Sequence, residues 1–170
     1  SVTALPQMNP FLFHGPHGSK TVRFVEAGRT AENSLFARTS EDGMIWDEPV
    51  HFATSSGQVA LHTFDSSTLR QPMVVIAWRG EDDYVYTKSS LTGFDQRDPE
   101  SDQSMKFLGD PTLFSADGVL YETALDYSGI VRWRKSTDSV SWTKWKSGDL
   151  RATGRVSFVK YRDNIFMGAK

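Results

Sequence analysis

The chain of 170 residues contains no cysteine. That absence removes a disulfide framework, a thiolate zinc site and a cysteine nucleophile together, and leaves packing to hold the fold. Long apolar runs are missing too. Met73-Val74-Val75-Ile76-Ala77-Trp78 is only six residues, against the roughly 18 that a membrane-spanning helix requires. Nor are there the Ala/Leu/Glu/Lys stretches that build helices. Charge of one sign is also lacking: 19 Lys and Arg stand against 21 Asp and Glu, for a net charge of -2 and a pI near 6.1. No global field therefore attracts a polyanion or an anionic bilayer, and neither nucleic acid nor membrane insertion is expected. No leader of charged and apolar residues is visible, and the compartment, cytoplasmic or secreted, stays open.

What is present points to β-structure. Five Trp, 11 Phe, 13 Gly and 7 Pro accompany many Ser, Thr and Asp. Short apolar runs of period two are bounded by turn residues, as at His14-Gly15-Pro16-His17-Gly18, Asp42-Gly43, Gly80-Glu81-Asp82-Asp83, Asp117-Gly118 and Ser128-Gly129. The pattern predicts an all-β chain of about fourteen strands. A helical alternative survives only at Asp98-Pro99-Glu100-Ser101-Asp102, where one polar turn of helix could form.

The strand runs also repeat. The block aromatic, any residue, basic, hydroxyl, hydroxyl occurs at Phe36-Ala37-Arg38-Thr39-Ser40, Tyr86-Thr87-Lys88-Ser89-Ser90 and Trp133-Arg134-Lys135-Ser136-Thr137, at spacings of 50 and 47 residues. A first strand recurs around Leu12, Leu61, Leu113 and Phe158. A second ends at Gly28, Gly80, Gly129 and Gly168, and a fourth is expected at Ile45 to Phe52 and at Val140 to Lys146. Four antiparallel strands in about 40 to 50 residues is the arithmetic of a β-propeller blade. The expected array has units at about 10–57, 58–109 and 110–154, with a partial unit at 155–170. Residues 1–9 would complete the last unit, closing a ring within one chain, or a homo-oligomer would close it.

The turn Arg38-Thr39-Ser40-Glu41-Asp42-Gly43-Met44-Ile45-Trp46, and a weaker copy at Lys135-Ser136-Thr137-Asp138-Ser139-Val140-Ser141-Trp142, resembles the Asp-box of sialidase-like β-propellers. In overall character the chain is closest to propeller lectins. The resemblance gives Ser40, Asp42, Gly43, Trp46, Asp138 and Trp142 structural roles: carboxylate and hydroxyl bond the turn backbone, glycine takes a positive φ, and the indole packs beneath. It also implies what a sialidase would need. Pro10-Phe11-Leu12-Phe13 stands where such enzymes carry an arginine, and Tyr121 and Glu122, adjacent on a strand, point to opposite faces. No Gly-x-Ser-x-Gly elbow occurs. The chain is expected to be non-catalytic, with a glycoside hydrolase as the third reading. His14 and His17 lack the further ligands zinc wants, and no cofactor or metal is expected.

A ligand is expected on the face that gathers the loops between second and third strands. Glu26, Arg29 and Asn33 lie there in the first unit, Trp78, Arg79 and Asp82 in the second, and Asp126 and Tyr127 in the third. Aromatic rings beside planar acceptors and donors suit a sugar, whose C–H face stacks while its hydroxyls bond. A groove between units adds Trp133 and Trp145. The expected function is a lectin-like module for glycans or glycoproteins, with a protein-interaction scaffold as the alternative.

Overall fold

A computed structural model describes residues 6–14, 16–55, 57–90, 98–153, 156–161 and 164–169. The described residues contain no α-helix; their fourteen strands fall into four antiparallel sheets in chain order. The first is β1 (Gln7–His14), β2 (Lys20–Arg29), β3 (Ser34–Ser40) and β4 (Val50–Thr54). The second is β5 (Ala60–Asp65), β6 (Pro72–Arg79), β7 (Val85–Ser90) and β8 (Glu100–Ser101). The third is β9 (Thr112–Ala116), β10 (Val119–Leu125), β11 (Ile130–Ser136) and β12 (Lys146–Arg151), and β13 (Val156–Tyr161) pairs with β14 (Asn164–Ala169). Each four-stranded sheet is a simple meander.

The sheets bury themselves against one another. Val25, Ala27 and Leu35 of the first meet Leu61, Val74, Ile76 and Trp78 of the second. Phe64, Met73 and Val75 meet Leu120 of the third. Leu125 and Val131 of the third meet Val156, with Phe158 and Met167 alongside. First strands lie side by side, β1 with β5, β5 with β9, β9 with β13.

The repeat holds bond by bond. After each second strand a turn opens at Thr30, Gly80 or Asp126, whose N–H donates to the carbonyl four residues on. The fourth residue of the turn takes a left-handed conformation: Asn33 (φ 63°), Asp83 (φ 68°) and Gly129 (φ 75°). Asn, Asp and Gly are the residues that tolerate this region best. The carbonyl of that residue then accepts the N–H of Ser55, Phe107 or Ala152 from the link to the next sheet. Between third and fourth strands, Asp42 Oδ1 accepts the N–H groups of Met44 and Ile45, and Asp138 Oδ1 those of Val140 and Ser141. The hydroxyls of Ser40 and Ser136 accept from the N–H of Gly43 and Ser139 at 2.8 Å. Glycine is dispensable there because Ser139 itself takes φ 61°. The matching turn of the second unit, with Gly93, lies outside the described residues.

Some sequence expectations shift. Gln7 and Met8 are not part of a strand completing the last unit; they begin β1, opposite Ala27 and Glu26. Residues 1–5 lie outside the described residues. Counted from the recurring turn, Met8 is the counterpart of Leu61 and Leu113, which face Ile76 and Glu122. Leu12 lies four residues further on, because β1 is longer than its counterparts. Glu100 and Ser101 form an edge strand on β7, not a helical turn, since their backbone pairs with Thr87 and Tyr86. The fourth strands begin at Val50 and Lys146, later than expected, because Trp46 and Trp142 fold back over Arg38 and Arg134 before pairing resumes.

Burial pushes the Asp138 carboxyl up, yet the N–H groups of Ser141 and Val140 and the Ser136 hydroxyl outweigh it and hold its pKa below the ordinary value. A carboxylate so depressed stabilises the fold above its unfolded pKa of about 3.9, and that contribution is lost as pH falls through the folded value. Asp138→Ala is expected to destabilise by about 2 kcal/mol at neutral pH. It should also flatten the acid limb of the stability curve, both read by urea denaturation.

Candidate functional site

The three recurring turns and the links tied to them share one face of the molecule. In the first turn Arg29 donates through Nη1 to Asn33 Oδ1 at 2.5 Å. In the second, Arg79 Nη1 donates to Asp83 Oδ1 at 2.5 Å, and Asp83 Oδ2 accepts the Tyr127 hydroxyl from the third turn at 2.5 Å. Tyr127 is 59% exposed. Tyrosine and guanidinium thus converge on one carboxylate. The Tyr127 hydroxyl, offset by slight burial and joined by Arg79, holds the Asp83 pKa below its ordinary value, and the carboxylate in turn raises that of the phenol.

Between the first and second sheets lies a groove of about 310 Å³ lined by Ala53, Thr54, Trp78, Glu81, Asp82 and Tyr86 among others. Trp78 is 2% exposed and has no open face: Tyr86 stacks on one side, centroids 5.7 Å apart, and Phe52 meets it edge-on at 5.1 Å. The expected sugar platform at Trp78 is therefore corrected to a packing role, and Tyr86 is the half-buried ring of the stack. Its hydroxyl donates to Asp82 Oδ2 at 2.6 Å, and Asp82 Oδ1 accepts the N–H of Tyr84. Asp82 and Glu81 are exposed.

Other expected residues are withdrawn from the surface. Glu26 is 8% exposed and bonded to Arg38 on the neighbouring strand. Asp126 is 5% exposed; its oxygens accept the N–H groups of Ser128 and Ile130 and Nε of Arg132. Both carboxylates are spent on local structure. Trp145 packs on Phe107 at 4.5 Å, and with Trp142 it encloses the guanidinium of Arg134, at 4.7 and 4.5 Å. Arg134 bonds Glu122, which is fully buried, so Glu122 is not presented to solvent as a nucleophile. Trp133 is half-buried beside Tyr121, with Lys146 Nζ 5.2 Å from its ring.

A second concavity of about 310 Å³ opens where the links between sheets converge. Gly57, Gly109, Asp110 and Thr153 from the three links, with Arg79, Thr123 and Leu125, are among its walls. Asp110 and Thr123 were not singled out by sequence reasoning, and Tyr86 only as the aromatic of the repeating block. The pair Gly109-Asp110 was the available signal for the first; a threonine in mid-strand carries none.

No family model matches this chain, and no curated protein sequence does. Among solved structures it is similar to a fucose lectin from Kordia zhangzhouensis in complex with methyl-fucoside, with a TM-score of 0.53 and 10% identity. The likeness covers 84% of this chain and 99% of that one, and it is a likeness of fold.

Tyr127→Phe removes the donor that lowers Asp83 most. The Asp83 pKa is expected to rise toward its ordinary value in a carboxyl-carbon NMR titration; an unchanged value would mean that the contact between turns does not form in solution.

Proposed function

We propose that this chain is a non-catalytic carbohydrate-binding module of lectin type built as a β-propeller. In this reading the successive sheets are blades, their adjacent first strands line the axis, and the turns around Asp42 and Asp138 are Asp-boxes. Sequential four-stranded meanders, packed face to face, support it, as does the fold shared with a fucose lectin.

The observation that carries the binding site is the Tyr86 ring, stacked on Trp78 and bearing Asp82 on its hydroxyl, at a groove beside Glu81 and Thr54. A sugar lays its C–H face on such a ring while adjacent hydroxyls bond the carboxylates. A second groove, within the third sheet and not at the equivalent place, is lined by Ser128, Gly129, Arg151, Ala152 and Thr153 and has no aromatic wall. The sites are thus unequal, and avidity for multivalent glycans comes from their joint occupation. Ring closure, by the chain itself or by a second copy, is part of the same reading and is read from a solution mass.

A glycan array followed by calorimetric titration with methyl fucoside tests the proposal. Saturable binding to at least one glycan is expected. Tyr86→Ala is expected to weaken it about tenfold or more, the loss of about 1.4 kcal/mol of stacking, and Asp82→Asn to weaken it without disturbing the Trp78 stack. Absence of saturable binding to every glycan, with a specific protein ligand bound instead, would favour the interaction scaffold and sink the lectin reading.

A further inference from the structure

We propose that the Tyr86 groove selects its sugar by charge, taking hexosamines with a free ammonium group ahead of their N-acetylated forms and excluding acidic sugars. This rests on the lectin reading of the groove and names the ligand class within it.

The walls carry charge of one sign. Glu81 and Asp82 are both exposed there, and no other described residue lining the groove is charged. The cations nearest in sequence are turned elsewhere. Arg79 donates to Asp83 and faces Asp110, while Lys88, on the same face of β7 as Tyr86, is buried and is not among the walls. A ligand entering the groove therefore meets two carboxylates that no described cation neutralises.

Hydrogen-bonding capacity has the same bias. The Tyr86 hydroxyl is already engaged: it donates to Asp82 Oδ2 at 2.6 Å and is approached by the Gln103 side chain. The Gly80 N–H goes to the Tyr84 carbonyl. Glu81 and Asp82 offer carboxylate oxygens, which only accept, and each oxygen of Asp82 has so far accepted one bond. Their complement is a group that only donates, and an ammonium brings three donors and no acceptor. N-acetylation removes that charge. A carboxylate or sulfate on the sugar would instead set acceptor against acceptor at like charge.

The aromatic wall acts in the same direction. Tyr86 and Trp78 lie 15° from parallel with centroids 5.7 Å apart, and the negative face of a ring attracts a nearby cation as well as the C–H face of a sugar. Ring and carboxylates thus bind different parts of one hexosamine.

The test is calorimetric titration of the full chain with a glucosamine trisaccharide, its N-acetylated counterpart and N-acetylneuraminic acid. Titrations are run in dilute buffer at about pH 6, below the ordinary amino-group pKa of about 8. The amine form is expected to bind about fivefold tighter or more than the acetylated form, and the acidic sugar not at all. The preference should vanish at about pH 9.5, where the amine is neutral, and at about 1 M salt, where the screening length is about 3 Å. Glu81→Gln with Asp82→Asn should bring the ratio of the two affinities to near one. Equal or tighter binding of the acetylated form, a preference that survives high salt or the double variant, or binding of the acidic sugar would overturn the proposal and leave the lectin reading standing. Absence of binding to every saccharide would remove both readings, and so would N-acetyl-lysine amide binding as tightly as the glucosamine trisaccharide, since charge alone would then suffice.

Discussion

A sheet placed between two others must be apolar on both faces, and the rest of this structure follows from that requirement. Residues 73–78 of β6 are all buried, three facing the first sheet's core and three the opposite side. This is why the strand reads as a continuous apolar run where a half-exposed strand would alternate. Trp78 fills the space between Phe52 and Tyr86, and on the other face Met73 and Val75 meet Leu120. Burial on both faces leaves chiefly the edges and turns open to solvent.

One polar device nevertheless sits inside the sheets. Glu26 pairs with Arg38, and Glu122 with Arg134, across the second and third strands at matching positions, each arginine lying against an indole. In the middle sheet the same places hold Ile76 and Lys88. The first pair keeps contact with solvent, whereas the Glu122 and Arg134 side chains are 0% and 1% exposed. Burial pushes the Glu122 carboxyl up while Arg134 pulls it down, and the net direction is upward. Losing water around two ions is costly. The two tryptophan faces enclosing Arg134 offset part of that cost through cation–π attraction. Trp145, which reads as sugar-binding in the sequence, and Trp142, which reads as the packing beneath a turn, therefore both serve to hold a buried cation.

The turns divide into two kinds with different uses. Those at Asp42 and Asp138 bond inward, every carboxylate contact going to the local backbone or serine. The turns after the second strands bond outward, to the following link and to each other through Arg79, Asp83 and Tyr127. A rigid scaffold with cross-braced loops on one face is the arrangement in which a binding site is preorganised. The Tyr86 groove and the Arg79 cavity flank the same Arg79–Asp83 brace.

By itself the sequence determined the all-β class, the repeat of about fifty residues and the inward-bonding turns, because these depend on contacts within a few residues and on period-two alternation. The left-handed turn position was legible at Gly129 and hidden at Asn33 and Asp83, since only glycine announces it. Strand order alone put Arg79, Asp82 and Tyr127 at the same end of the sheets, where the structure joins Arg79 and Tyr127 through Asp83. Tertiary structure decided the rest. It buried Trp78, spent Glu26 and Asp126 on arginines, and brought Gly57, Arg79, Asp110 and Thr123 from separate units around one cavity. Spacing along the chain says which face a side chain takes; only the packing of one sheet on the next says whether that face meets solvent, another ring or an opposing charge.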